Sequence, residues 1–148
     1  MKILIGYDTK HGNTKKVAEL IGEGIKSIKQ NEILVENIKD IDLNREETYD
    51  LFILGSPNHG GSHTRAVKKF LKEFANAQLK GKSYAVFDTY MGKDFEKAIK
   101  EMEAQFSALM PDLTKARSGL SIKVGGIEGP IVDEDLPKCK EFGLKLAN

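Results

Sequence analysis

Short aliphatic runs alternate along this chain with longer segments whose apolar residues recur every three or four positions. That alternation constrains the fold more than any other feature, because a period near two marks strands and a period near 3.6 marks helices. The runs KILIGY at 2–7, DLFILGS at 50–56 and KSYAVFDTY at 82–90 read as strands, as do EILVENI at 32–38 and GLSIKVGG at 119–126. The run at 50–56 is apolar on successive residues, so both of its faces are buried. The run at 32–38 alternates and belongs nearer an edge. Helical spacing predicts helices over 14–29, 64–74, 94–110 and 134–147. Pro111 marks a stop, and Pro137 is compatible only with a first turn. Residues 38–49 lack a long apolar face and predict a short helix or an irregular crossover.

Strands interleaved with helices imply an α/β fold, an open parallel sheet with helices on both faces. At 148 residues, one domain over 1–148 with one sizeable core is expected. The formal net charge is +1, so overall charge points to neither nucleic acid nor an anionic membrane surface. Cys139 is the single cysteine, which excludes an intrachain disulfide and any CxxC redox or zinc site. No leader-like segment and no apolar stretch of the ~20 residues that span a bilayer is read, so a cytoplasmic location is expected.

In doubly wound sheets, ligands bind outside the carboxyl ends of the strands. The first such loop, YDTKHGNTKK at 7–16, is richer than a connector requires. A helix N-terminus offers unpaired N–H groups and partial positive charge to an anion. Thr9 and Thr14 add hydroxyls, Asn13 adds an amide, and Gly12 allows a close approach or a positive φ. One threonine would suffice as a helix cap, so the cluster reads as a phosphate cradle.

Other sites fit poorly. The G-x-G-x-x-G dinucleotide pattern is missing, and GKS at 81–83 has Asn76 where a Walker loop needs glycine and precedes a strand. His59 and His63 have metal-like spacing, but Gly60 and Gly61 between them argue against a helix, and no third ligand is evident. A phosphoacceptor receiver needs paired acids after the first strand, where only Asp8 stands, and an Asp ending the third, where Gly55-Ser56-Pro57 stand.

The segment Thr9-Lys10-His11-Gly12-Asn13-Thr14 resembles the phosphate loop of the flavodoxin family, whose pattern is close to [TS]-x-[TS]-G-N-T. Two further loops match in position: GSPNHGG at 55–61 after the third strand, and FDTYMGKD at 87–94 after the fourth. The resemblance covers essentially the whole chain. It implies a flavodoxin-like, doubly wound, five-stranded parallel sheet in the order 2-1-3-4-5. It also implies non-covalent FMN and an electron carrier that cycles through the oxidised, semiquinone and hydroquinone states. A flavin-dependent reductase of quinones or other small acceptors is the alternative, and its relatives are usually longer. The partners implied are redox proteins of unstated identity, with a monomer as the expected state.

By the same resemblance, Thr9, His11, Gly12, Asn13 and Thr14 hold the phosphate, with Lys10 and Lys15 facing solvent. His11 departs from the usual Ser or Thr, so either its ring or only its backbone N–H meets the ligand. Ser56, Pro57, Asn58, His59, Gly60 and Gly61 line one edge and face of the ring. Either glycine could supply the peptide that flips toward flavin N5. Asp88, Thr89 and Gly92 meet the pyrimidine edge through backbone donors, and Tyr90 stacks over the ring. Flavodoxins are typically strongly acidic. This near-neutral chain, with Lys93 and three histidines in or near the loops, departs from that pattern, which bears on its potential and its partners.

Overall fold

In a computed structural model that describes residues 1–28 and 30–148, the central strand β1 (Lys2–Tyr7) pairs in parallel with β2 (Glu32–Asn37) on one side and β3 (Thr48–Pro57) on the other. Strand β4 (Lys80–Tyr90) follows β3, so the order runs β2-β1-β3-β4 before the last lane. The register sets Ile5 between Val35 and Ile53.

The last lane differs from the single strand expected over 119–126. Two short pieces, β5 (Thr114–Lys115) and β6 (Leu120–Lys123), both pair in parallel with β4. They occupy one lane of the expected five, interrupted over 116–119. A Cβ on Gly119 would lie 3.0 Å from the Val86 carbonyl oxygen, so the chain re-enters the sheet at a point only glycine fits.

Four α-helices cover the sheet: α1 (Asn13–Lys26), α2 (Arg65–Phe74), α3 (Lys97–Leu109) and α4 (Leu136–Ala147). Helix α1 ends at Lys26 with Ser27 as its C-cap, short of the expected end at 29: Ile28 N–H donates to the Ile25 carbonyl in a closing turn, and residue 29 lies outside the described residues. Helix α3 begins three residues later than its apolar period suggested, because Glu96 takes a left-handed φ of 61°. A 3-10 turn over Ile38–Asp40 occupies the start of the irregular crossover.

Alternation along the strands divides the core by face. Ile3, Ile5 and Ile53 pack with Val17, Ile21 and Ile25 of α1 and with Phe142 and Leu146 of α4. Leu4, Phe52 and Leu54 pack with Phe70 and Phe74 of α2 and with Met102 and Phe106 of α3. Helices α1 and α4 meet backbone to backbone: a Cβ on Gly24 would lie 2.2 Å from the Lys140 carbonyl oxygen, and one on Gly143 would lie 2.2 Å from that of Ile21. No helix among the described residues is long and apolar enough to cross a membrane.

Parallel strands carry all their carboxyl ends to one edge. The segments after β1, β3, β4 and β6 therefore converge there, and they form the site.

Candidate functional site

The segments after β1, β3, β4 and β6 enclose a concavity of about 470 Å³. From the first loop, Thr9, Lys10, His11, Asn13 and Thr14 line it, and Pro57, Asn58, His59 and Gly60 do so from the second. Thr89, Met91 and Asp94 contribute from the third, and Val124 and Ile127 from the segment after β6.

The first loop leaves its polar groups largely unspent. The Gly12 N–H donates to Thr9 Oγ1 at 2.9 Å, which folds the turn and leaves the Thr9 hydroxyl proton free. Gly12, at φ 90°, sits at the N-cap of α1, and no side chain caps that helix. No bond links the N–H groups of Asn13, Thr14 or Lys15 to any other described residue. The other helices differ. Thr64 Oγ1 accepts from Val67 N–H at the start of α2. Asn58 Oδ1 and Asp88 Oδ2 accept from Ala98 and Ile99 N–H at the start of α3, and a 3-10 turn over Asp133–Asp135 leads directly into α4. An uncapped helix start facing a concavity fits an anion there. The loop is also fixed at its far end, where the Thr14 and Thr89 hydroxyls bond to each other at 3.0 Å.

The second loop is a tight hairpin. His59 N–H donates to the Ser62 carbonyl at 2.8 Å, and Ser62 N–H returns to the His59 carbonyl at 3.3 Å. Gly60 and Gly61 form its corners at φ 62° and 76°. Two central residues at positive φ are the signature of a type I′ turn, which selects glycine. Ser56, fully buried, donates to the Pro57 carbonyl and accepts from Thr64 N–H, so it braces the loop rather than lining the concavity.

Behind this wall lies a buried network on Asp88. Ser121 Oγ–H donates to Asp88 Oδ1 at 2.5 Å and Asn58 Nδ2–H to Oδ2 at 3.0 Å, while Ile99 N–H reaches Oδ2 at 3.3 Å. Asn58 also donates to the Thr89 carbonyl, and its Oδ1 accepts from Ala98 N–H at 2.9 Å. Burial raises the Asp88 carboxyl to about 6, although the bonds from Ser121, Asn58 and Ile99 favour its charged form.

Of the fifteen residues read from the sequence, nine line this concavity. Gly12, Gly61 and Gly92 shape turns beside it, all with positive φ. Asp88 and Ser56 stand behind the wall. The Tyr90 ring does not line the concavity: it meets Phe95 edge-on at 5.3 Å between centroids. The next residue, Met91, lies on the lining, because side chains alternate sides as the chain leaves β4. Among the described residues, His59 and His63 belong to no group of three or more His, Cys, Asp or Glu side chains placed to hold a metal ion. The His63 ring donates from Nε2 to Gln105 Oε1 and accepts at Nδ1 from Ser62 Oγ–H. Burial holds its pKa below the usual range, against the bond to Gln105.

Sequence reading missed Lys10, Met91 and Asp94 as lining residues, and missed the segment after β6 altogether. The turn-rich stretch GGIEGP at 125–130 follows the last strand at the same sheet edge and was the available signal. It folds back on the first loop: a Cβ on Gly129, at φ 97°, would lie 2.4 Å from Asn13 Oδ1.

The flavodoxin domain family matches residues 4–122. A flavodoxin of Aquifex aeolicus is 30% identical over 157 aligned residues, which cover 99% of this chain and 85% of that one. A flavodoxin of Clostridium saccharobutylicum is 34% identical over 89 residues, 60% of this chain and only 56% of that relative. The solved structure of a flavodoxin from the domain Archaea superposes with a TM-score of 0.82 at 28% identity, covering 99% of this chain and 96% of that one.

Proposed function

Because the chain belongs to the flavodoxin family, and is by that membership an FMN electron-transfer flavoprotein, we propose that residues 1–148 form one domain that carries single electrons between protein partners. The N–H groups of Asn13, Thr14 and Lys15 at the first turn of α1, together with the side-chain amide of Asn13 and the hydroxyls of Thr9 and Thr14, would hold the phosphate of FMN. Gly12 sets the turn, and His11 stands at the rim of the site. Pro57, Asn58, His59 and Gly60 would hold the ring from one side, with Thr89 beside it and Met91 and Ile127 as apolar walls. Met91 is 39% exposed and Ile127 73%, so both have apolar surface free to meet a flat ring.

The observation that carries this reading is the start of α1: among the described residues it is the one α-helix whose first-turn N–H groups meet no side-chain acceptor and that no 3-10 turn precedes. A dianionic phosphate would satisfy those donors without a neutralising lysine. Bound FMN supplies one-electron exchange, and this chain positions it. Gly60, Gly61 and Gly92 give the backbone beside the ring its turns, while Asp88 and Tyr90 act from behind the lining.

The test is a visible absorption spectrum of the purified protein with one equivalent of FMN, followed by slow reduction. The bands of a bound oxidised flavin, then the long-wavelength absorbance of a one-electron-reduced flavin, support a carrier. Direct conversion to the two-electron form, with steady NAD(P)H oxidation, would replace this reading with a reductase.

A further inference from the structure

A second groove of about 550 Å³ shares the wall formed by Thr9, Lys10, Pro57 and His59 with the first concavity. Three basic side chains line it, namely Lys10, Arg65 and Lys68. No carboxylate lies within ion-pair distance of any of the three among the described residues. The one carboxylate on the groove, Asp8, accepts a hydrogen bond from the Thr64 hydroxyl at 2.6 Å. The chain as a whole carries a formal charge of only +1. A local cationic excess at this place is therefore a matter of arrangement and not of composition. The adjoining groove, past Asp8, adds Lys39 and a Lys69–Glu73 ion pair, so the cationic excess is concentrated at Lys10, Arg65 and Lys68.

We propose that this cationic groove docks the acidic face of a protein redox partner beside the cofactor. The inference rests on the reading that the first concavity holds the flavin.

The kind of ligand follows from how the groove is built. Its two buried polar side chains are already partnered, His63 with Ser62 and Gln105, and Thr64 with Asp8 and Val67 N–H. No buried donor is left to grip a small anion. What remains are long side chains, with Lys10 and Arg65 exposed and Lys68 half-buried. Such a surface steers and orients a large, oppositely charged face, raising the association rate more than the affinity. It suits brief electron-transfer encounters, whose interfaces lie at the small end of the range. The polarity is the reverse of the acidic surfaces typical of the family.

The experiment uses the FMN-loaded protein, with loading confirmed by its spectrum before mixing. Failure to load would defeat the flavin reading and leave the charge question separate. Stopped flow then follows three one-electron exchanges at pH 7 as salt rises from about 10 to about 200 mM. The reduced protein gives an electron to hexacyanoferrate(III), or to the cationic tris(phenanthroline)cobalt(III). The oxidised protein accepts one from a reduced, strongly acidic [2Fe–2S] ferredoxin used as a probe. The expected result is a rate that falls at least about threefold with hexacyanoferrate and with the ferredoxin, and rises with the cobalt complex. Arg65→Glu with Lys68→Glu, outside the first concavity, should reverse these slopes and leave FMN affinity unchanged. Slopes near zero, slopes of opposite sign, or slopes the double variant does not move would overturn the proposal. So would a ferredoxin rate insensitive to salt together with Arg65- and Lys68-dependent binding to anionic phosphatidylglycerol vesicles.

Discussion

The loop that leads into α1 and the wall of Asn58 and Thr89, backed by Asp88, border the same concavity but are built in opposite ways. In the loop, one bond from Gly12 N–H to Thr9 folds the turn, and the donors of the first helical turn stay unpaired. In the wall, the side-chain groups of Asn58 are engaged and Asp88 holds three donors. Unspent donors mark where a ligand completes the structure. Spent ones mark a frame that exists before the ligand arrives. The loop should therefore govern affinity for the phosphate alone, and the wall should govern stability and affinity for the whole flavin.

The comparison would break most visibly at the loop. Asn13→Ala with Thr14→Ala should weaken FMN about a hundredfold, the loss of two charge-assisted bonds at about 1.5 kcal/mol each. Riboflavin affinity should hardly change. Equal weakening of both, measured by quenching of flavin fluorescence, would remove the distinction between the regions. Thr14 also bonds Thr89, so Asn13→Ala alone serves as the variant that leaves the frame intact.

The wall is tested by pH. Burial raises the Asp88 carboxyl from its ordinary 3.8 to about 6, so between those values the folded state holds more protons than the unfolded one. Asp88 then contributes stability that is complete below about pH 4 and lost as pH rises through about 6, amounting to about 3 kcal/mol. Urea melts across that window should show this component of the slope in the native protein and not in Asp88→Asn.

A smaller effect is expected at Asn58. Asn58→Ala leaves the Ala98 N–H without its acceptor and removes one of the two donors on Asp88 Oδ2, and should cost about 2 kcal/mol of stability. It should weaken FMN and riboflavin by the same factor, the reverse of the loop variants. Smallest are Gly60→Ala and Gly61→Ala, each about 1 kcal/mol from a side chain at positive φ. If one of these peptides turns during reduction, the corresponding variant shifts the first one-electron potential, and potentiometry of both identifies it.

The same contrast explains what was legible in the sequence. The five lanes and their helices follow from periodicity, and the flavodoxin strand order follows from the resemblance. The α1 loop is contiguous, so Thr9, Gly12, Asn13 and Thr14 announce it together. The wall joins Asn58 to Asp88 and Thr89, and Asp88 to Ser121, across separations of 30 or more positions, and no local pattern carries that. Tyr90 illustrates the limit at one residue. An aromatic after a strand is visible in the sequence, but which side it faces depends on where the strand ends, and here Met91 takes the lining position. The split of the last lane into β5 and β6 turns on a close approach at Gly119 that composition does not reveal.

The most direct test of the account is the ratio of FMN to riboflavin affinity in the native protein, titrated with and without inorganic phosphate. An α1 loop that holds the phosphate predicts FMN tighter by about a hundredfold or more, with phosphate competing against FMN. Equal affinities for the two flavins, unmoved by phosphate, would contradict it.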